Sequence, residues 1–137
     1  MSWPILLDTC ALLWLSNDLP MRAPAMAAIQ DARDEEDYLL VSPITAWEIG
    51  QLVARGRLPL LVEPQAWFDD ALEAGLALAP MPPDVLIASS FLPGDRLRDP
   101  ADRILAATAR SFRYRLMTRD RPLLDFGADG HLDVIPC

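Results

Sequence analysis

Apolar residues along this chain fall into short continuous runs, separated by longer stretches with helical spacing. Residues 3–8, centred on Ile5, Leu6 and Leu7, predict a strand buried on both faces, because both alternating sides are apolar. Residues 10–15 predict a short helical turn, and residues 24–33 an alanine-rich helix closed by the polar cluster 31–37. Residues 38–42 predict a second strand. Ser42 or Pro43 opens the next helix, since serine caps well and proline suits a first turn. That helix runs to about Arg55, with Gly56 as its stop. Residues 58–62 form an apolar connection interrupted by Pro59, and 64–74 another helix ended near Gly75. Residues 76–81 predict a third strand, and 84–91 a helix started by Pro82 and Pro83. After the loop Pro93-Gly94-Asp95, residues 100–112 predict the most regular helix, with Ile104, Leu105, Ala107 and Thr108 on one side. Residues 114–118 predict a fourth strand and Pro122 opens a short helix. Val134 and Ile135 form a last, edge strand, where Pro136 is tolerated.

Strands that alternate with helices indicate an α/β domain with a mainly parallel sheet and helices on both faces. One domain over residues 1–137 is expected, with no internal repeat and no low-complexity tract. Ligands of such sheets bind outside the carboxyl ends of the strands, at the switch point.

Composition narrows the class. With 137 residues, 52% of them apolar, the chain is long enough for one real core. No stretch is long enough to cross a bilayer, and the start Met-Ser-Trp-Pro lacks the basic region of a signal peptide, so no membrane contact and a cytoplasmic location are expected. Cys10 and Cys137 are expected as free thiols. With the lone His131, expected at the surface, they are too few and too scattered for a structural zinc site. The net charge of −8 argues against a general nucleic-acid coating protein. Yet all 12 basic residues are arginines, and eight of them lie between Arg96 and Arg121, around three acids of interest. Arginines around an acidic centre suit a site that holds a phosphate backbone over metal, although each also fits a solvated helix face. The four tryptophans, Trp3, Trp14, Trp47 and Trp67, are expected in the core or at an interface.

Acids stand at matching places. Asp8 ends the first strand, Glu48 lies early in the helix after the second, Asp99 and Asp102 open the long helix, and Asp120 follows the fourth strand. Each has a structural explanation. Asp8, Asp99 and Asp120 fit helix caps, Asp102 fits a favoured first-turn position, and Glu48 fits the edge of an apolar stripe. Their joint convergence on one rim of one sheet is harder to explain that way. There they repel one another unless a cation joins them. Oxygen ligands of this kind suit Mg2+ or Mn2+, which would activate a water and stabilise charge during phosphodiester hydrolysis. Asp102 is expected as the ligand and Asp99 as the cap, with a supporting role. Thr9 adds a hydroxyl beside Asp8.

The segments Leu6-Leu7-Asp8-Thr9-Cys10-Ala11-Leu12-Leu13-Trp14-Leu15, Ser42-Pro43-Ile44-Thr45-Ala46-Trp47-Glu48-Ile49, Arg98-Asp99-Pro100-Ala101-Asp102-Arg103-Ile104-Leu105-Ala106-Ala107-Thr108-Ala109 and Leu116-Met117-Thr118-Arg119-Asp120 resemble the PIN-domain family, most of all the VapC toxins of bacterial toxin–antitoxin pairs. The resemblance runs in order over nearly the whole chain. It implies a three-layer α/β/α sandwich and a Mg2+- or Mn2+-dependent endoribonuclease. Asp8, Glu48, Asp102 and Asp120 match the family's acidic quartet, and Thr118 a hydroxyl residue often found beside it. It also implies a homodimer and a cognate VapB-like antitoxin, seated in a groove formed by residues 48–55 and 64–74. Cys10 departs from the commoner residue at its position.

Two other readings compete. An aspartyl-phosphate signalling or phosphotransfer domain also uses acids at strand ends, but it needs a lysine, and this chain has none. A non-catalytic PIN-like binding module would not need the acids intact. No Gly-x-Ser-x-Gly elbow and no glycine-rich phosphate loop is present.

Overall fold

The computed structural model describes residues 3–137. Five short strands form one fully parallel sheet: β1 (Ile5–Leu7), β2 (Leu39–Val41), β3 (Leu76–Leu78), β4 (Arg115–Thr118) and β5 (Val134–Pro136), in the order β3-β2-β1-β4-β5. The order reverses between β1 and β4, so the switch point lies at the centre of the sheet.

Alternation along the strands sorts the core into two. Ile5, Leu7, Val41 and Met117 pack on one side, with Leu12 of α1 (Thr9–Ser16), Ile29 of α2 (Ala23–Asp34) and Phe68 of α4 (Pro64–Glu73). Leu6 and Leu116 face the other side, against Leu105 of α6 (Pro100–Phe112) and Leu123 and Phe126 of α7 (Arg121–Ala128). Ile44 of α3 (Pro43–Ala54) joins this second cluster, and α5 (Pro83–Ala88) packs on α6. The result is the expected three-layer α/β/α sandwich.

Most expected elements are present, with shifted ends. The turn after β1 is a two-turn helix that begins at Thr9, because the Asp8 carboxylate accepts the Ala11 N–H at 2.7 Å and so caps it. β3 stops at Leu78, short of Met81. α5 ends at Ala88, and Ser89 to Phe91 make only a turn. The buried belt of α6 is wider than the expected stripe and includes Ala101, Ala106 and Ala109, while Ile104 is only half-buried. The reason is packing, since α6 touches β4, α3 and α5. Of the tryptophans, half-buried Trp67 packs against the core, while Trp14 is half-buried and Trp3 and Trp47 are exposed.

Leu116 is fully buried in the inner strand β4, beside β1, and packs against α6. Leu116→Ala is expected to cost about 2–5 kcal/mol of stability in urea unfolding, with an unchanged denaturant slope.

Candidate active site

The strand ends and helix starts at the carboxyl rim present the acids. Asp8 follows β1 and is 2% exposed. Its backbone N–H donates to the Met117 carbonyl at 3.1 Å, which extends the β1–β4 ladder and fixes the residue. Its Oδ1 accepts from Ala11, and its Oδ2 accepts the Thr118 hydroxyl at 2.5 Å. Thr118 in turn accepts the Asp120 N–H at 3.1 Å, so one buried hydroxyl ties the ends of the two strands that flank the switch point. Asp8 is therefore both a cap and a rim acid.

Glu48 is half-buried on α3, and its Oε1 accepts the Thr9 hydroxyl at 2.6 Å. Thr9 also lies 3.4 Å from the buried Thr45 hydroxyl. Asp99 caps α6 by accepting the Asp102 N–H at 2.9 Å, as expected. Asp102 sits in the first turn of that helix, half-buried. Asp120 precedes α7 but makes no side-chain cap bond, so its carboxylate is left for another partner.

These acids feel one another. Burial, then the charges of Asp120, Asp99, Glu48 and Asp8, push the Asp102 carboxyl from 3.8 to about 7. Burial raises Asp8 to about 6, against the hydrogen bonds from Thr118 and Ala11, with Asp120 and Glu48 adding to the rise. Glu48 and Asp120 are also raised, by burial first and then by Asp99 and, for Glu48, by Asp120. The main influences on all four are burial, hydrogen bonds and other acids, never an arginine. Among the described residues no three acidic, histidine or cysteine side chains are posed around a common point. Asp8, Glu48 and Asp99 are each held by hydrogen bonds to the scaffold. An oxygen-only donor set with uncompensated negative charge fits a hard divalent cation.

Sequence reasoning did not find Thr45 or Arg119. Thr45 lies three residues before Glu48, on the same helix face, and that spacing was its signal. Arg119 is not a phosphate ligand here. Its Cζ lies 3.5 Å from the Trp14 ring centroid, and it donates to the Cys137 carbonyl at 3.0 Å. Cys10 and Cys137 are both free thiols.

The pKa shifts give a signed expectation for the cation-free protein. The Asp102 contribution to stability is fully present below its ordinary value of 3.8 and is lost as pH rises to about 7. Asp102→Asn removes that loss, so the variant should melt higher than the parent at pH 8 in chelator and equally with it near pH 4. Thermal melts at the two pH values check this.

The comparisons with known proteins agree with this geometry. A family profile described as PIN domain matches residues 5–128. Ribonuclease VapC22 of Mycobacterium tuberculosis (strain ATCC 25618 / H37Rv) is 34% identical over 119 residues, which are 87% of this chain and 88% of that one. Among solved structures, VapBC2 from Rickettsia felis bound to a DNA fragment from their promoter superposes with a TM-score of 0.70 at 14% identity, covering 96% of this chain and 97% of that one. A toxin–antitoxin complex from Klebsiella pneumoniae gives 0.60 at 21% identity, covering 96% and 95%. The chain belongs to the PIN-domain family, among its VapC proteins.

Proposed function

We propose that this chain is a divalent-metal-dependent endoribonuclease, the toxin of a VapBC-type toxin–antitoxin pair, and that residues 1–137 form a single catalytic domain. The observation that carries the reading is the convergence of Asp8, Glu48, Asp102 and Asp120 at one sheet rim, where burial and the neighbouring acids raise the pKa of all four without a basic partner. Ribonuclease VapC22, at 34% identity over most of both chains, supports the choice of RNA as substrate. The toxin–antitoxin complexes among the structural relatives support an antitoxin partner and a heteromeric assembly; a homodimer of the chain within it is part of the proposal.

Asp8, Glu48, Asp102 and Asp120 would hold the cation, with Asp99 beside them. Mg2+ or Mn2+ bound there supplies Lewis acidity toward a water and the phosphodiester, and neutralises the clustered acids. Thr118 and Thr9 orient the Asp8 and Glu48 carboxylates by hydrogen bonds at 2.5 and 2.6 Å. Asp102 and Asp120 accept no side-chain hydrogen bond from the scaffold among the described residues, which leaves both free to turn toward a ligand. Asp99 holds the first turn of α6 in place, so Asp102 is aimed by the helix itself. Arg98 and Arg121 are exposed next to Asp99 and Asp120 and suit the backbone phosphates of bound RNA.

A non-catalytic PIN-like module is the second reading. The separated pose of the acids is the observation on its side. Cleavage of total RNA by the purified protein decides between them. Cutting should require Mg2+ or Mn2+ and stop in chelator. Asp8→Asn and Asp102→Asn should each lose about a hundredfold or more in rate with native circular dichroism. Undiminished cutting in both variants, or full activity in chelator, would overturn the nuclease site. Binding of RNA without cutting, under every metal condition, would establish the module.

A further inference from the structure

The arginine-rich segment singled out in the sequence is divided by the fold. Arg96 pairs with Asp129 at 2.6 Å, Arg103 donates to the Ser89 and Leu97 carbonyls, and Arg119 lies on Trp14. Arg98 and Arg121 border the acids. Arg110 and Arg113 are at the other end of α6, beyond the amino ends of β1 and β4. There they line an open cavity of about 580 Å3 with Trp3, Tyr114, His131 and a single acid, Asp133.

Neither guanidinium of this pair has an acidic partner among the described residues. One Arg110 nitrogen donates to the His131 carbonyl at 2.6 Å, which anchors the side chain and leaves its other donors available. The Arg113 guanidinium lies 5.6 Å from the centre of the Trp3 ring, within cation–π range. Arg115 donates to the Trp3 carbonyl at 2.9 Å, which ties the backbone of that residue to the start of β4. Tyr114 stacks on Phe112 with centroids 5.6 Å apart, so the wall of the cavity continues as an aromatic surface. Arg113 also stands where a glycine would be easier. It ends α6 in the left-handed region at φ 59°, a conformation that Asp18 and Glu36 also adopt and that Gly56, Gly75, Gly94 and Gly130 adopt more easily. A non-glycine residue there costs about 1 kcal/mol. Helix-end electrostatics accounts for a cation near this terminus. It does not account for two arginines flanking aromatic rings around a cavity.

Guanidinium groups alternating with aromatic faces suit single-stranded RNA, which offers phosphates to the first and unstacked bases to the second. A chain with net charge −8 repels RNA over most of its surface, so local basic sites matter more. We propose that the face formed by Trp3, Arg110, Arg113 and Tyr114 is a second RNA-binding surface, an exosite at the sheet end opposite the acids. The proposal rests on the ribonuclease reading. The 13 residues of α6 separate the two ends by roughly 20 Å. At about 3.4 Å per stacked nucleotide, and more where the strand is unstacked, an RNA of about thirty nucleotides reaches both.

The test is RNA binding by fluorescence anisotropy, in chelator so that nothing is cut, with an RNA of about thirty nucleotides and one of about five. The variants are Arg113→Gly and the double variant Arg110→Gln/Arg113→Gly. Glycine suits the left-handed position, so Arg113→Gly should fold at least as stably as the parent, and a melt confirms this. For the long RNA, the double variant should bind about tenfold more weakly, with a salt dependence shallower by about 1.4 in log–log slope for two lost phosphate contacts. The short RNA fits the exosite by itself, so the double variant should weaken its binding as well. Unchanged affinity and unchanged slope for the long RNA in a folded variant overturn the exosite. Cleavage of total RNA separates the two claims. Metal-dependent cutting with no exosite effect leaves the nuclease standing alone, and an exosite effect without any cutting leaves an RNA-binding protein.

Discussion

Repulsion among carboxylates at the carboxyl end of a parallel sheet is the constraint to which the local structure answers. Desolvation and neighbouring acids together hold Asp8 and Asp102 far above the ordinary carboxylate range. A fold can keep such groups only where other interactions outweigh the penalty. Here Asp8 receives two hydrogen bonds and its backbone joins the ladder with β4. Asp99 and Asp102 lie at a helix start, where the exposed N–H groups favour negative charge. The two-sided apolar core of β1 and β4 then holds the strand ends in register beneath the acids. Thr118 is the narrowest joint, since a single hydroxyl serves both Asp8 and Asp120.

Much of this was legible in the sequence, and for a physical reason. Central strands buried on both faces leave continuous apolar runs, and the acids directly after those runs stand out. Helix α6 was delimited to the residue because Asp99, Pro100 and the tyrosine-led strand after it are strong local signals. What was not legible depends on tertiary context. The extra length of α1 comes from the Asp8 cap, which competes with its role at the rim. The wide buried belt of α6 requires both α3 and α5 as neighbours. The tryptophans were expected in the core or at an interface; Trp67 packs against the core, but the places of Trp3 and Trp47 before β1 and on an outer helix face leave them exposed. Thr45 has meaning only once Thr9 is beside it.

Helix α6 gives the molecule an electrostatic polarity. Acids occupy its first turn and cap, and arginines its last turn and C-cap, which is the arrangement the helix dipole favours at each end. The same helix thereby separates an acidic rim from an arginine-bearing end.

The most direct test of the central claim is calorimetric titration of the chelator-stripped protein with Mn2+ at pH 6.5, in buffers of different ionisation enthalpy. Asp102 near 7 and Asp8 near 6 are then partly protonated, and a cation held by them must displace those protons. The account predicts binding with release of about one proton per protein at that pH, falling toward none above pH 8. Binding heats that do not depend on the buffer, or no binding at all, would contradict it.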